Sequence, residues 1–314
     1  MSIEQRAYYG AKLEPKNNII HCIGQSKDAF DDYIILAAAH LKPLAYMSYM
    51  SVKKCESYPS ALKKTLLEYP WYLGAQVGLS MTFDGNPECH YEHEVADGKF
   101  DDAIQKCLYE LNEINRPIWL RIGYEFTGTW NGYQPDTYRK AFQKIAAFIR
   151  NSNYKNIAAC WCHAPEVTPP NLLDFYPGDE FVDWFGIDPF DADHMDSNDT
   201  ELFLTLAEKH KKPVLIGEST PRRVGVLDSE KSWDTWFKPF FNMIHKWRGI
   251  KMLSYINWNW IGRRAGEMSD WSDWGDGRIE ANETVKSLWN EELENPIYVH
   301  GNDEINIRKL LRMD

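Results

Sequence analysis

Two glutamates in this sequence each follow a short apolar run. Glu125 comes directly after RPIWLRIGY, and Glu218 ends PVLIGE. Such runs predict buried β-strands, and burying a carboxylate beside one is costly unless it has a partner or a task. Two carboxylates held roughly 5 to 5.5 Å apart can cleave a glycosidic bond with retention, one as nucleophile and the other as general acid/base. Carboxylates at such positions also bind metals or form ion pairs, so their placement alone leaves these alternatives open.

The elements that must position this pair alternate along the chain. Strand followed by helix, eight times over, predicts an α/β fold of the (β/α)8 TIM-barrel type, in which strands four and seven lie nearly opposite each other. The alternative is an open doubly wound sheet, but IGQSKD after the first strand lacks the GxGxxG loop typical of that fold. The eight predicted strands cover residues 19–24, 43–50, 71–79, 117–124, 156–162, 181–188, 213–218 and 251–258.

Polar and aromatic residues near the strand ends are candidates for substrate contacts, because a barrel carries its active site at the carboxyl ends of its strands. Arg121 and Tyr255 are plausible hydrogen-bond donors to Glu218, and tryptophans can stack on sugar rings. The substrate-binding candidates are His21, Tyr46, Gln76, Arg121, Trp130, His163, Asp188, Trp258 and Trp260.

The overall charge argues against some classes of binding partner. The chain has 314 residues and a formal net charge of -11 at pH 7, which argues against nucleic acid or an anionic membrane as the partner. Aromatic residues make up 14% of the chain, with 13 Trp, which is more than a core requires and suits a cleft that stacks sugar rings. We therefore expect a carbohydrate substrate.

Domain organisation and compartment are less strongly indicated. The absence of a low-complexity linker or internal repeat predicts a single catalytic domain over residues 1–314, with 295–314 as a C-terminal tail. The first residues, MSIEQRAYYG, lack the basic, apolar and small-residue order of a signal peptide. As written, the sequence predicts a cytoplasmic protein, and a secreted or periplasmic location stays open if a leader precedes it.

Several segments resemble glycoside hydrolase family 26, the clan A family of β-mannanases and related endoglycanases. RIGYEFTGTW followed by YRKAF is similar to the family's fourth-strand motif, FYPGDEFVDWFGID to its sixth, KKPVLIGEST to its seventh, and INWNW to its aromatic-rich eighth strand. The likeness covers roughly residues 117–260. It implies a retaining glycoside hydrolase that cleaves β-glycosidic bonds in a poly- or oligosaccharide of the β-mannan, β-glucan or xylan type. It also implies that Glu125 is the acid/base, that Glu218 is the nucleophile, and that Trp130 shapes the sugar site.

The sequence departs from the family pattern beside the acid/base. Tyr124 precedes Glu125 where the family usually has His, and Thr127 stands where it usually has Asn. Because these positions line the sugar site, the resemblance supports the mechanism more directly than the sugar. We therefore expect a divergent member, and a neighbouring clan A family with the same barrel remains an alternative.

Two other classes of protein were weighed. A non-catalytic carbohydrate-binding barrel would keep the aromatic residues but would tolerate loss of the paired carboxylates. A metal-dependent barrel hydrolase would need several histidines with ligand spacing at strand ends, and the sequence supplies only His21 and His163 there, with no HxH pair. Elsewhere, His90 and His93 in ECHYEHEVADG lack the HExxH order of a zinc protease. We favour a loop there that forms one wall of the cleft, and we expect no metal and no cofactor, since a two-carboxylate mechanism needs neither.

Two arginine pairs follow the seventh and eighth strands. Arg222 and Arg223, with Arg263 and Arg264, could grip a carboxylated or sulfated sugar, because arginine binds such groups in a bidentate manner. The other interpretation, which we favour slightly, is that they pair with nearby acids such as Asp228.

Overall fold

Eight parallel strands form the centre of the fold. The computed structural model describes residues 5–38, 40–69, 73–83, 86–165, 171–261, 272–302 and 306–313. Each strand overlaps one of the eight predicted apolar runs; residues 71 and 72 of the third run lie outside the described residues. The strands are β1 Ile19–Gly24, β2 Ala45–Ser51, β3 Gly74–Ser80, β4 Ile118–Ile122, β5 Ile157–His163, β6 Trp184–Ile187, β7 Val214–Ile216 and β8 Ile250–Ile256.

The eight strands close into a barrel. Each pairs in parallel with its neighbours along the chain, and β1 pairs with β8 from Ile20 opposite Met252 to Gly24 opposite Ile256. Closure leaves the barrel strands without a free edge. The TIM-barrel prediction is thereby confirmed.

Helices follow most of the strands. The longest helix, Pro135–Asn151, begins with a proline. Proline has no backbone N–H, and it suits the first helical turn because the N–H groups of that turn have no partner within the helix. Between β5 and β6 the described residues hold one 3₁₀ turn, Leu172–Phe175, where the sequence predicted a weak helix. The α-helices are Lys27–Asp32, Tyr58–Glu68, Glu92–Ala96, Asp101–Glu113, Pro135–Asn151, Asn198–Lys209, Glu230–Ser232, Lys238–Lys246, Glu283–Leu293 and Ile307–Leu311; π-helical turns lie at Tyr33–Ala37 and Trp233–Phe237, and other 3₁₀ turns at Val52–Ser57, Ala192–His194, Ser272–Trp274 and Ile279–Ala281. Among the described residues, no helix has the length and apolarity needed to cross a membrane.

Side chains alternate between the barrel interior and the layer beneath the helices. Trp119, Cys160 and Trp184 belong to the interior cluster, whereas Leu120 and Trp161 pack in the larger cluster against the helices. This follows from the two-residue period of a strand. The position of a residue in this alternation therefore decides whether its side chain can reach the mouth of the barrel.

A two-stranded hairpin follows β3. Thr82–Phe83 pairs antiparallel with Asn86–His90, and the helix Glu92–Ala96 comes next. The sequence had predicted a loop here, forming one wall of the cleft. The Thr82 hydroxyl lies 3.5 Å from Asn131 Oδ1, so the hairpin sits beside the loop that follows β4.

Both terminal segments contact the barrel. The buried Arg6 guanidinium donates to the carbonyls of Ile244, Trp247 and Ile250 at 2.8 to 2.9 Å, near the start of β8. At the other end of the chain, Tyr298–Val299 pairs in parallel with β1. The single-domain interpretation of residues 1–314 stays a prediction.

Candidate active site

The two glutamates singled out in the sequence meet at the carboxyl ends of β4 and β7. One carboxylate oxygen each from Glu125, Glu218 and Asp188 lie within 4.8 Å of one another. Glu125 is 9% exposed and Glu218 is 8% exposed, so both remain reachable from the mouth, whereas Asp188 is fully buried. The spacing of the two glutamates is close to that of the carboxyl pair in retaining glycosidases, roughly 5 to 5.5 Å.

One arginine binds two of these three carboxylates. Arg121, fully buried on β4, donates from Nη1 to Asp188 Oδ2 and from Nη2 to Glu218 Oε1, both at 2.8 Å. The guanidinium also lies 4.7 Å from the ring centre of Tyr124 and 5.7 Å from that of Tyr49, within the range of cation–π attraction. Arg121 was predicted to donate to Glu218, and the structure brings the two together.

The charges of the site are unevenly shared. Burial raises the pKa of Glu125 well above its usual value, the negative charge of Glu218 raises it further, and a hydrogen bond from Trp130 opposes the rise. Burial also raises the pKa of Asp188 to about 7, against the opposing effect of Arg121. Because Arg121 binds Glu218 and Asp188, Glu125 is the carboxylate that holds a proton most readily.

A strained loop presents Glu125. The strand β4 ends at Ile122, two residues before the end of the predicted strand 117–124. Glu125 adopts a φ of 52°, which is unusual for a residue other than glycine. Asn131 Nδ2 donates to the carbonyls of Tyr124 and Glu125 at 3.0 Å. Trp130 Nε1 donates to Glu125 Oε2 at 2.7 Å. The loop therefore fixes both the backbone and the carboxylate of Glu125.

His163 supports this loop from behind. It is fully buried, its Nδ1 lies 2.9 Å from the Thr127 hydroxyl, and its Nε2 lies 2.8 Å from Asp199 Oδ2. Thr127 also donates to the carbonyl of Ala164. Since both ring nitrogens are engaged, His163 lies in a structural chain of hydrogen bonds and has no nitrogen left for the sugar contact predicted from the sequence.

Two further predicted sugar contacts point away from the mouth. His21 is fully buried, with its ring nitrogens 3.0 Å from His300 Nδ1 and from the Tyr33 hydroxyl. Tyr46 packs edge-on against Phe30 in the outer cluster. Both belong to the outward set of their strands, which is why they do not join the two glutamates.

Tyr255 shares this outward orientation. It is buried against Trp236 and Trp289, and its hydroxyl donates to the carbonyl of Gly277. The interpretation of Tyr255 as a donor to Glu218 is therefore wrong. Tyr49 is the tyrosine on which Glu218 acts, because burial and then the Glu218 charge raise the pKa of Tyr49.

The remaining predicted contacts lie near the mouth or beneath it. Gln76, fully buried inside the barrel, donates from Nε2 to the carbonyl of Gly217 at 2.9 Å, directly before Glu218. Trp258 is half-buried just after β8, and Trp260 is buried with its ring 4.8 Å from that of Trp274. Gln76 thus supports the Glu218 backbone, and the tryptophans form an aromatic group beside the eighth strand.

The arginines that follow β7 pair with acids. Arg222 donates to Asp273 at 3.0 Å and Arg223 lies 3.2 Å from Asp191, so the pairing interpretation is supported, with partners other than Asp228. The second pair, residues 263 and 264, lies outside the described residues.

Several residues that shape the site were not predicted from the sequence. A Cβ on Gly217 would lie 2.5 Å from Asp188 Oδ1 and 2.8 Å from Arg121 Cδ, so only glycine fits there. Asn131, which holds the Glu125 backbone, belongs to no motif that could have indicated its role. The buried Cys162 thiol donates to Asp188 Oδ1 at 3.2 Å.

The same trio of carboxylates offers oxygen ligands that could hold a metal. However, the guanidinium of Arg121 already occupies one oxygen of Asp188 and one of Glu218. A cation would have to compete with this buried arginine. The arrangement therefore suits acid/base and nucleophilic chemistry by the carboxylates themselves better than metal binding.

Comparisons with known proteins agree with this chemistry. A model of glycosyl hydrolase family 26 matches residues 81–250, which is more than half of the chain. A β-1,3-xylanase from Alcaligenes sp is 27% identical, over 94% of this chain and 67% of that protein. The β-1,3-xylanase TXYA from Vibrio sp is 28% identical, over 94% of this chain and 68% of that protein.

Solved structures share the fold. The family 26 β-mannanase BoMan26A from Bacteroides ovatus superposes with a TM-score of 0.60 at 14% identity, covering 93% of this chain and 92% of that one. A modular endo-β-1,4-mannanase from Cellulomonas fimi gives a TM-score of 0.63 at 13% identity, covering 90% and 72%. Together with the family match, these findings show that the chain belongs to glycosyl hydrolase family 26, as a divergent member, and is a retaining glycoside hydrolase that acts on β-linked polysaccharides.

Proposed function

We propose that this enzyme hydrolyses β-1,3-xylan by double displacement, with Glu218 as nucleophile and Glu125 as general acid/base. The observation that carries the roles is the convergence of the two carboxylates within 4.8 Å at the mouth of the barrel. The substrate is supported by the two β-1,3-xylanase relatives, which align along nearly the whole chain. The mannanase structures are 12 to 15% identical and bear on the fold alone.

In the first step, Glu218 attacks the anomeric carbon and the bond to the leaving oxygen breaks. Glu125 donates its proton to that oxygen, so the leaving sugar departs as an alcohol and a glycosyl–Glu218 ester remains. In the second step, Glu125 takes a proton from water, which attacks the same carbon and releases Glu218. Both steps invert the centre, so the product keeps its original configuration.

The surroundings of each carboxylate suit its proposed role. The Arg121 guanidinium donates to Glu218 at 2.8 Å, so a positive charge lies beside the carboxylate that we propose as nucleophile. Glu125 has a raised pKa from burial and from the charge of Glu218, which favours the protonated form that an acid requires. Trp130 is 41% exposed beside Glu125, and Trp258 lies half-buried just after β8, so both suit stacking on sugar rings.

We further propose that residues 1–314 act as one catalytic unit without a metal or cofactor in its chemistry. Carbohydrate is the partner, and we propose that neither nucleic acid nor a membrane is one. The net charge of -11 supports this, because it disfavours approach to polyanions.

The test compares wild type, Glu125→Ala and Glu218→Ala on β-1,3-xylan, β-1,4-xylan, β-1,4-mannan, β-1,3-glucan and an activated aryl glycoside. We expect β-1,3-xylan to be the best polysaccharide for wild type and both variants to lose its hydrolysis. Added azide should give an inverted glycosyl azide with Glu218→Ala and a retained one with Glu125→Ala. The exposed Glu180, replaced by alanine, is the matched control and should keep full activity.

The outcomes separate mechanism from substrate. Unchanged hydrolysis in either glutamate variant would refute the proposed pair. Azide products with the two configurations exchanged would reverse the roles. Wild-type cleavage of β-1,4-mannan in preference to β-1,3-xylan would refute the substrate while leaving the pair intact.

A further inference from the structure

A second group of possible ligands lies outside the active site, at the end of the hairpin that follows β3. One ring nitrogen of His90, one of His93 and one carboxylate oxygen of Glu92 lie within 4.8 Å of one another. His90 ends the hairpin, and Glu92 and His93 open the next helix, so a single turn of chain brings the three together. We propose, in contrast to the expectation from the sequence, that this cluster binds one divalent transition-metal ion, with Zn²⁺ as the best-suited ion.

The hydrogen bonds of Glu92 prepare His90 for this task. Glu92 is fully buried, and its Oε1 accepts from the Gln134 backbone N–H at 3.4 Å and from the Thr137 hydroxyl at 3.2 Å. Its Oε2 lies 2.6 Å from His90 Nδ1. In the tautomer in which His90 Nδ1 donates to Glu92, His90 Nε2 carries the lone pair that can bind a ligand. A carboxylate behind a histidine is the usual support of a zinc-binding imidazole.

Exposure and ligand type favour zinc. The His90 side chain is 26% exposed, and His93 is exposed on the first turn of its helix, so an ion can enter from solvent. The two rings are 5.7 Å apart at their centres and nearly perpendicular. Rotation of His93 can bring both nitrogens to about 2.0–2.1 Å from one Zn²⁺, with water completing the shell. Ca²⁺ and Mg²⁺ prefer oxygen ligands and suit two imidazoles poorly.

A metal here would stiffen one wall of the cleft. The Tyr133 hydroxyl already accepts a hydrogen bond from the Met81 N–H, directly before the hairpin, at 3.0 Å. Glu92 in turn bonds to Thr137 at the start of the helix that follows the Glu125 loop. An ion joining His90 and His93 would therefore lock the hairpin end against the helix beneath it, without touching the two catalytic carboxylates.

The test is titration of tag-free protein with ZnCl2, by calorimetry and by thermal unfolding against an EDTA-treated sample. We expect one zinc ion per chain and a higher melting temperature with zinc. His93→Ala and His90→Ala should abolish both effects, and Glu92→Gln should weaken binding by about 10–100-fold. The exposed His40, paired with Glu294 on another part of the surface, gives the matched control, and His40→Ala should bind as wild type does.

Two results would overturn the proposal. One is the absence of saturable binding by wild type with zinc in large excess, and the other is equal affinity in wild type and His93→Ala. Because His93 is exposed, its replacement leaves the core intact and its result can be interpreted even if His90→Ala folds poorly. Co²⁺ gives an independent readout, since ligation by wild type should produce visible absorption that His93→Ala lacks. None of these measurements depends on the glycosidase activity.

Discussion

The hydrogen bond from Trp130 to Glu125 has a measurable consequence for pH dependence. The indole N–H lies 2.7 Å from Glu125 Oε2 and favours the ionised carboxylate, against the effect of burial, which raises the pKa. Trp130→Phe removes the donor and keeps an aromatic ring over the site. The pKa of Glu125 is therefore expected to rise further in this variant.

The size of the rise follows from the bond and from its exposure. A hydrogen bond to a charged group contributes about 1.5–3 kcal/mol, which is the upper limit of the stabilisation that the ionised Glu125 loses in this variant. Trp130 is 41% exposed, so water can replace part of the lost bond. We therefore expect a loss of about 1 kcal/mol, which raises the pKa of Glu125.

The direction of the change in the pKa of Glu125 can be read from the basic limb of the pH profile of kcat/KM. Glu125 must be protonated when the leaving sugar departs, so a higher pKa keeps the enzyme active to higher pH. On a polysaccharide, whose leaving group requires protonation, the basic limb of Trp130→Phe should move to higher pH. The acidic limb should stay in place, because the lost bond is to Glu125. Trp247→Phe, near the start of β8, is the control, and a basic limb that stays or moves to lower pH in Trp130→Phe would refute the reasoning.

Three other substitutions test the supports of the site. Arg121→Met leaves two buried carboxylates without a counter-charge, so the free energy of unfolding in urea should fall by about 3–5 kcal/mol; a loss within error would contradict the ion-pair geometry. Gly217→Ala forces a Cβ to within 2.5 Å of Asp188 Oδ1, so kcat should fall by up to about 100-fold with the fold retained, and unchanged kcat would show that the contact relaxes freely. Thr127→Val removes the hydroxyl partner of His163, and urea unfolding should show a loss of about 1–3 kcal/mol; stability equal to wild type would remove His163 from the support of this loop.

The barrel could be predicted because its strands are buried on both faces and appear as unbroken apolar runs. β5, IAACWCH, is buried at every position, including its final histidine. The hairpin strand Asn86–His90 escaped prediction because it is short, polar and paired only with Thr82–Phe83. The predicted helix between β5 and β6 proved to be a single turn, since NLLDFY is too short for a helix to be stable through its own hydrogen bonds.

The site was predicted less completely, and the errors share one cause. His21, Tyr46 and His163 all lie on barrel strands, but on the face that packs beneath the helices. A shift of one residue along a strand reverses the direction of a side chain, and fully buried strands carry no polar alternation that would reveal which face is which. Arg121 and Gln76 lie on the inward face, where Arg121 donates to Glu218 as predicted and Gln76 donates to the carbonyl of Gly217.

The division of roles between the two glutamates depends on a feature that no strand pattern contains. Arg121 could have reached any of three carboxylates, and it binds Glu218 and Asp188. Among the described residues, the Glu125 carboxylate accepts a hydrogen bond from the neutral indole of Trp130, so the three carboxylates share one guanidinium and an excess of negative charge remains there. Protonation of Glu125 reduces this excess charge at the lowest cost in free energy. If Glu125 lost the proton, its negative charge would lie beside that of Glu218 without a cation bound to Glu125. The resemblance and the charge distribution therefore support the same assignment on independent grounds, and the second of them rests on residues of this chain alone.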